Sequence, residues 1–328
     1  MHTITQEKYA AMERLSNEQK QIAALAIDQR GALKKMITSA GGSEDVALIE
    51  DFKKIISTEL TPYASSILLD PEFGLPAAKV RSENSGLLLA YEKTGYDSST
   101  PGRMPDLLED WSVLTLKKQG ADAIKFLLYY DIDENEKINE RKHRFVERIG
   151  SECAAENIPF YLELVSYDAE SLDPNSVDYA KVKPHKVNDM MKEFSKPQYK
   201  VDVLKMEVPV NMNYVEGFGE TMVYTQTEAA NFFKEQSSAT NLPFIFLSAG
   251  VSAELFQKTL IFAHESGSTF NGVLCGRATW ANGVPPFVTG GETKAKEWMN
   301  THGRQNIDSL NEVLAQTAQP WTDKVTAE

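Results

Sequence analysis

Two lysines sit inside apolar, strand-like runs: Lys125 in "ADAIKFLLYY" (121–130) and Lys205 in "VDVLKMEVP" (201–209). An ammonium group is rarely left in such surroundings without a partner. Each lysine therefore snorkels to water, pairs with a carboxylate, or supplies an amine for chemistry. Two carboxylates share the setting: Glu163 in "IPFYLELV" (158–165) and Asp28 at the end of "IAALAID" (22–28). Two ammonium groups held close together lower each other's pKa, and partial burial adds to the effect. A lysine brought toward neutrality is a nucleophile for a carbonyl carbon and forms a Schiff base. Dehydration of the carbinolamine and the proton transfers around it need acid/base groups, which Glu163 and Asp28 would supply. Taken singly, each lysine is more often an ion-pair partner, Glu163 a counter-ion and Asp28 a helix cap. The set of four is what points to catalysis.

Such a set needs a scaffold that brings distant residues to one place. The four runs above belong to a series of eight, completed by "SSILLD" (65–70), "GLLLAYE" (86–92), "PFIFLSAG" (243–250) and "FNGVLCGRATW" (270–280). All are near-continuous apolar stretches, as expected of parallel strands covered on both faces. Helical patterns lie between them; Phe145, Ile149 and Cys153, for example, recur on one helical face. Eight strands alternating with helices over this length predict a single (β/α)8 TIM barrel. The expected domain is residues 1–328, with a barrel core of about 20–300 and helical extensions at both ends. A doubly wound sheet is the rival, but "AIDQRGALKK" has no glycine-rich phosphate loop after the first strand. The last residues, "WTDKVTAE", read as a frayed tail, and "DENEKINERKHR" as a solvated helix start.

In a barrel, polar residues at the C-terminal ends of strands line the active site. Here these are Asp28, Gln29 and Arg30, then Lys125, Glu163 and Lys205, then Ser248 and Gly250, then Gly276 and Arg277. The loops after strands 7 and 8 of a barrel frequently bind phosphate. "LSAGVS" (247–252) can offer the amides of Ser248, Ala249 and Gly250. "CGRATW" (275–280) can offer a close backbone approach at Gly276 and a bidentate charge from Arg277. A plain turn with a helix cap is the competing reading.

Composition narrows the partners. The chain has 328 residues and a net charge of −13, which disfavours nucleic acid and anionic membranes. An anionic substrate would need its own cationic pocket. Two distant cysteines, no CxxC and a polar N-terminus point to the cytoplasm. Five scattered histidines give no metal-ligand spacing, so no metal and no cofactor are expected.

On the motifs "GADAIKF", "VLKMEVP", "FLSAGVS", "LCGRA" and "AIDQRG" the chain resembles the class I (Schiff-base) aldolases, most closely the bacterial tagatose 1,6-bisphosphate group, over roughly residues 20–300. The resemblance implies Lys205 as the Schiff-base lysine, Lys125 as the fourth-strand lysine and Asp28 as the first-strand aspartate. It implies two phosphate-binding ends and a small-molecule phosphorylated ketohexose as the partner. The expected reaction is reversible cleavage of D-tagatose 1,6-bisphosphate, with a homo-oligomer possible. Only Glu163 stands in "YLELVSY", where fructose 1,6-bisphosphate members carry two acids, and no tyrosine follows Trp298. Other Schiff-base ketose-phosphate aldolases, a metal-dependent aldolase and a sugar-phosphate-binding regulator are the alternatives.

Overall fold

The structure is a computed structural model that describes residues 1–94, 100–170 and 172–328. Each of the eight apolar runs forms a strand: β1 (Ile22–Ile27), β2 (Ser66–Leu69), β3 (Gly86–Ala90), β4 (Ala123–Tyr130), β5 (Phe160–Ser166), β6 (Val203–Met206), β7 (Phe244–Leu247) and β8 (Gly272–Cys275). All neighbours pair in parallel, and β8 pairs back onto β1, so the sheet is a closed barrel in sequence order. The expected TIM barrel is what the chain forms.

Closure depends on one glycine. Gly272 lies opposite Ile22 in the β8–β1 seam. Its φ is +143°, and a Cβ there would sit 2.0 Å from the Ile22 carbonyl oxygen. Only a residue without a side chain lets the last strand approach the first so closely.

The inward-facing residues follow the two-residue period of a strand. Ile22, Ala24, Ala26, Leu68, Leu88, Ala90, Ala123, Tyr161, Val203, Ile245 and Leu274 form one apolar cluster inside the barrel. The outward-facing residues form a larger cluster with the surrounding helices. In the helix Glu136–Ala155, Val146, Ile149 and Cys153 are buried against the barrel, and Phe145 stacks on Phe126 with ring centroids 5.6 Å apart. Burial of each such side chain contributes about 1.5–3 kcal/mol.

The chain ends differ from the sequence expectation. The tail is not frayed: Val325–Ala327 pairs in parallel with His2–Ile4. Trp321 is fully buried, donates from Nε1 to Ser16 Oγ at 3.0 Å and meets Tyr9 edge-on. With Met12 and Leu15 it joins the cluster inside the barrel. Apolar content in an otherwise polar octapeptide rests on Trp321 and Val325, too little to show as a periodic signal.

Candidate active site

Continuing the alternation from the apolar layer gives the next inward position on each strand. Ala26 leads to Asp28, Leu68 to Asp70, Ala90 to Glu92, Ala123 to Lys125, Tyr161 to Glu163 and Val203 to Lys205. Six ionisable side chains therefore rise above the apolar layer toward the C-terminal mouth. Register joins two of them directly, since Glu163 lies opposite Lys205 across β5 and β6.

The contacts are short. Glu163 bridges the two lysines, with Oε1 2.7 Å from Lys205 Nζ and Oε2 2.7 Å from Lys125 Nζ. Lys125 also donates to Asp28 Oδ2 at 2.9 Å and to Glu92 Oε1 at 2.7 Å. Lys125, Lys205, Glu163 and Glu92 are all buried. Asp28 does not cap a helix: the following helix, Gly31–Ser39, has Arg30 at its N-cap and no side-chain cap.

The electrostatics separate three carboxyls. Burial would raise Asp28, but the Lys125 and Lys205 charges outweigh it and hold Asp28 well below the usual carboxylate range. Burial opposes ionisation of Glu163 too, and the same two lysines bring it below its ordinary value. Glu92 goes the other way, raised by burial and by the Asp28 charge despite Lys125. Burial alone would lower Lys125; Asp28, Glu163 and Glu92 instead push it well above the ordinary lysine value. The expectation that the neighbouring ammonium group and burial lower the lysine pKa is thus corrected for Lys125, because the Glu163 carboxylate lies between the two lysines.

Glu92 and Asp70 did not enter the strand-end reading, although both end quoted apolar runs. The rule that selects Glu163 selects them equally. Asp70 forms a fully buried pair with Lys53 at 2.7 Å, and Lys53 also donates to the Ile27 carbonyl at 2.9 Å. This pair braces the end of β1 just below Asp28.

The residues expected to bind phosphate also converge. Ala249 and Gly250 have φ of +49° and +79° in succession after β7. A non-glycine residue in the left-handed region is a strained state that local contacts must hold. A Cβ on Gly250 would lie 3.1 Å from Arg277 Nη2, so the Arg277 guanidinium reaches across to the β7 loop. Ser252 caps the helix Ala253–Glu265 by accepting from Leu255 N. Ser248 is buried at the strand end. Gly276 approaches the Ala26 carbonyl oxygen and the Gln29 amide, with a Cβ reaching 3.0 Å and 3.5 Å from them. Gln29 Oε1 is buried with no hydrogen-bond partner, a poised acceptor at the mouth.

Arg30 is placed differently from the rest. It is buried, donates from Nη1 to Glu72 at 2.5 Å and from Nη2 to the Glu92 carbonyl at 2.8 Å. Its charge is already matched by protein groups. Cys275 is buried, with its thiol pushed up by burial. Among the described residues, no helix is long and apolar enough to cross a membrane.

The model of the DeoC/LacD family aldolases matches residues 22–282. A tagatose 1,6-diphosphate aldolase of Enterococcus faecalis is 70% identical, covering 99% of this chain and 98% of that protein. One from Streptococcus mutans is 59% identical, covering 98% and 100%. One from Lactococcus lactis is 57% identical, covering 98% and 99%. Among solved structures, the fructose-bisphosphate aldolase of Plasmodium falciparum shares the fold, with a TM-score of 0.68 and 17% identity over 98% of this chain and 96% of that one. The barrel, its mouth of paired lysines and carboxylates, and these matches lead to one conclusion: the chain belongs to the DeoC/LacD family of aldolases.

Proposed function

We propose that this chain cleaves D-tagatose 1,6-bisphosphate reversibly into dihydroxyacetone phosphate and D-glyceraldehyde 3-phosphate through a Schiff base on Lys205. The observation that carries this reading is the Glu163 bridge, which puts an acid/base group 2.7 Å from the Lys205 amine. A proton passing from Lys205 Nζ to Glu163 leaves a neutral amine beside a protonated carboxyl. The amine attacks the C2 ketone, and Glu163 returns its proton to the departing hydroxyl as the iminium forms. Asp28 or Glu163 takes the C4 hydroxyl proton. The C3–C4 bond then breaks, glyceraldehyde 3-phosphate leaves, and the electron pair flows into the iminium to give an enamine. Protonation at C3 and hydrolysis release dihydroxyacetone phosphate and restore Lys205. Lys125 holds the carboxylates ionised and meets the negative charge that develops. Ser248, Ala249, Gly250, Gly276 and Arg277 hold the C1 phosphate, and Gln29 accepts from a substrate hydroxyl. The buried free thiols support a reducing, cytoplasmic setting. Termini that close the lower end of the barrel support a single domain over residues 1–328.

The test is release of triose phosphates from tagatose 1,6-bisphosphate by the purified chain, with and without EDTA. Turnover insensitive to EDTA is expected. No turnover on any ketose phosphate would reject the reading, and loss with EDTA would favour a metal-dependent route.

A further inference from the structure

The substrate proposed above has two phosphates, and the β7–β8 loops hold only one. Arg30, the cationic strand-end residue of β1, is committed to Glu72 and to the Glu92 carbonyl. The order of strands indicates where the other end must go. From the phosphate loops of β7 and β8, the next strands carry Lys205 on β6, Glu163 on β5 and Lys125 on β4. A six-carbon chain fixed at C1 by those loops and at C2 by Lys205 runs past Glu163 and Lys125 toward the rim above β4 and β5.

That rim carries an arginine on an aromatic platform. Tyr129 lies four residues beyond Lys125 on the same strand and so on the same inward-facing row. Burial raises the pKa of its phenol, the Glu163 charge adds to the rise, and Arg103 and Lys125 oppose it. The Arg103 guanidinium carbon lies 5.5 Å from the Tyr129 ring centroid and 4.8 Å from that of Tyr167. Its backbone is held in place: φ is +41° at Arg103 and +89° at Gly102. A Cβ on Gly102 would lie 2.5 Å from Ile138 Cγ2, so the loop is pressed against the helix that follows β4. From that helix, Lys142 donates to Tyr167 Oη at 3.0 Å. Arg103 and Lys142 thus converge on Tyr167 in a chain of net charge −13. The nearby acids have other partners, since Glu134 accepts from Tyr167 at 2.8 Å and Asp131 from Lys186 at 2.6 Å. Stacking occupies the flat faces of a guanidinium and leaves its N–H edge for bidentate contact with a phosphate.

We propose that Arg103, seated on Tyr129 and Tyr167, binds the phosphate at the C6 end of the substrate. This rests on the aldolase reading above. The test compares kcat/KM for tagatose 1,6-bisphosphate and tagatose 1-phosphate in the full chain and in Arg103→Gln and Arg103→Lys. Arg103→Gln is expected to reduce the preference for the bisphosphate roughly 10- to 100-fold, mainly through KM, the range of a charge-assisted contact. Arg103→Lys, which keeps the charge without the fork, should fall between. A preference unchanged in Arg103→Gln, whether both substrates suffer equally or neither suffers, would overturn the assignment. If the unaltered chain cleaves neither compound, the aldolase reading fails and this assignment falls with it.

Discussion

In the mechanism proposed above, Glu163 is the residue on which the chemistry turns. It faces both lysines at 2.7 Å and is kept ionised by them against its own burial. Replacing it by glutamine keeps the shape and removes the proton carrier. Glu163→Gln should fold normally and turn over roughly 100- to 10,000-fold more slowly, the usual worth of a positioned acid/base group. A near-native kcat would remove Glu163 from that role. The two lysines and Glu163 were legible in the sequence because a charge inside an apolar run is conspicuous, and Asp28 because polar residues at strand ends line a barrel's mouth. Glu92 ends its run just as Asp28 does, yet the sequence alone gives it no visible partner. Only the register shows that it is the next inward residue after Ala90 and touches Lys125. Nor could the sequence show that Glu163 would separate the two ammonium groups, because that depends on how β5 is set against β4 and β6.

At the scale of elements, the eight strands were readable because each is buried on both faces and so is apolar throughout. The same continuity conceals which side chains face the barrel interior. The helix Glu136–Ala155 shows a further limit: "DENEKINERKHR" reads as solvated, yet Asn139 and Lys142 within it are buried. Lys142 makes its contact with Tyr167 and has no ion pair among the described residues. Burial lowers its pKa to about 7, against the pull of Glu134 and Asp131. The unfolded chain keeps an ordinary lysine pKa of about 10.4. Between these values the unfolded state binds the extra proton, so stability gains from rising pH in that window. Lys142→Met should therefore stabilise the protein more at pH 7 than at pH 10, as read by urea unfolding at both. A gain equal at the two pH values, or larger at pH 10, would contradict this account.

For the molecule as a whole, the barrel separates stability from chemistry along its axis. The groups proposed to react occupy the C-terminal mouth. The lower end is closed by the terminal strands, by Trp321 and by Asp202, which binds Lys8 at 2.7 Å. This closure was not legible, because it pairs three residues from each end of the chain across nearly its full length. Trp321→Ala should cost about 3–5 kcal/mol of stability, as expected for emptying a buried tryptophan site. Its kcat per folded molecule, measured well below the unfolding transition, should stay within about twofold of the parent, because removing a core side chain at the far end leaves the mouth contacts intact. A large loss of kcat in a folded Trp321→Ala protein would show that the two ends are coupled.

The most direct test of the central claim is to trap the covalent intermediate. The protein is incubated with dihydroxyacetone phosphate, reduced with sodium borohydride, digested and mapped by mass spectrometry. The account predicts one reduced adduct, on Lys205, and none in a folded Lys205→Ala protein. An adduct on Lys125 instead, or no lysine adduct in folded protein, would contradict the assignment of Lys205 as the nucleophile.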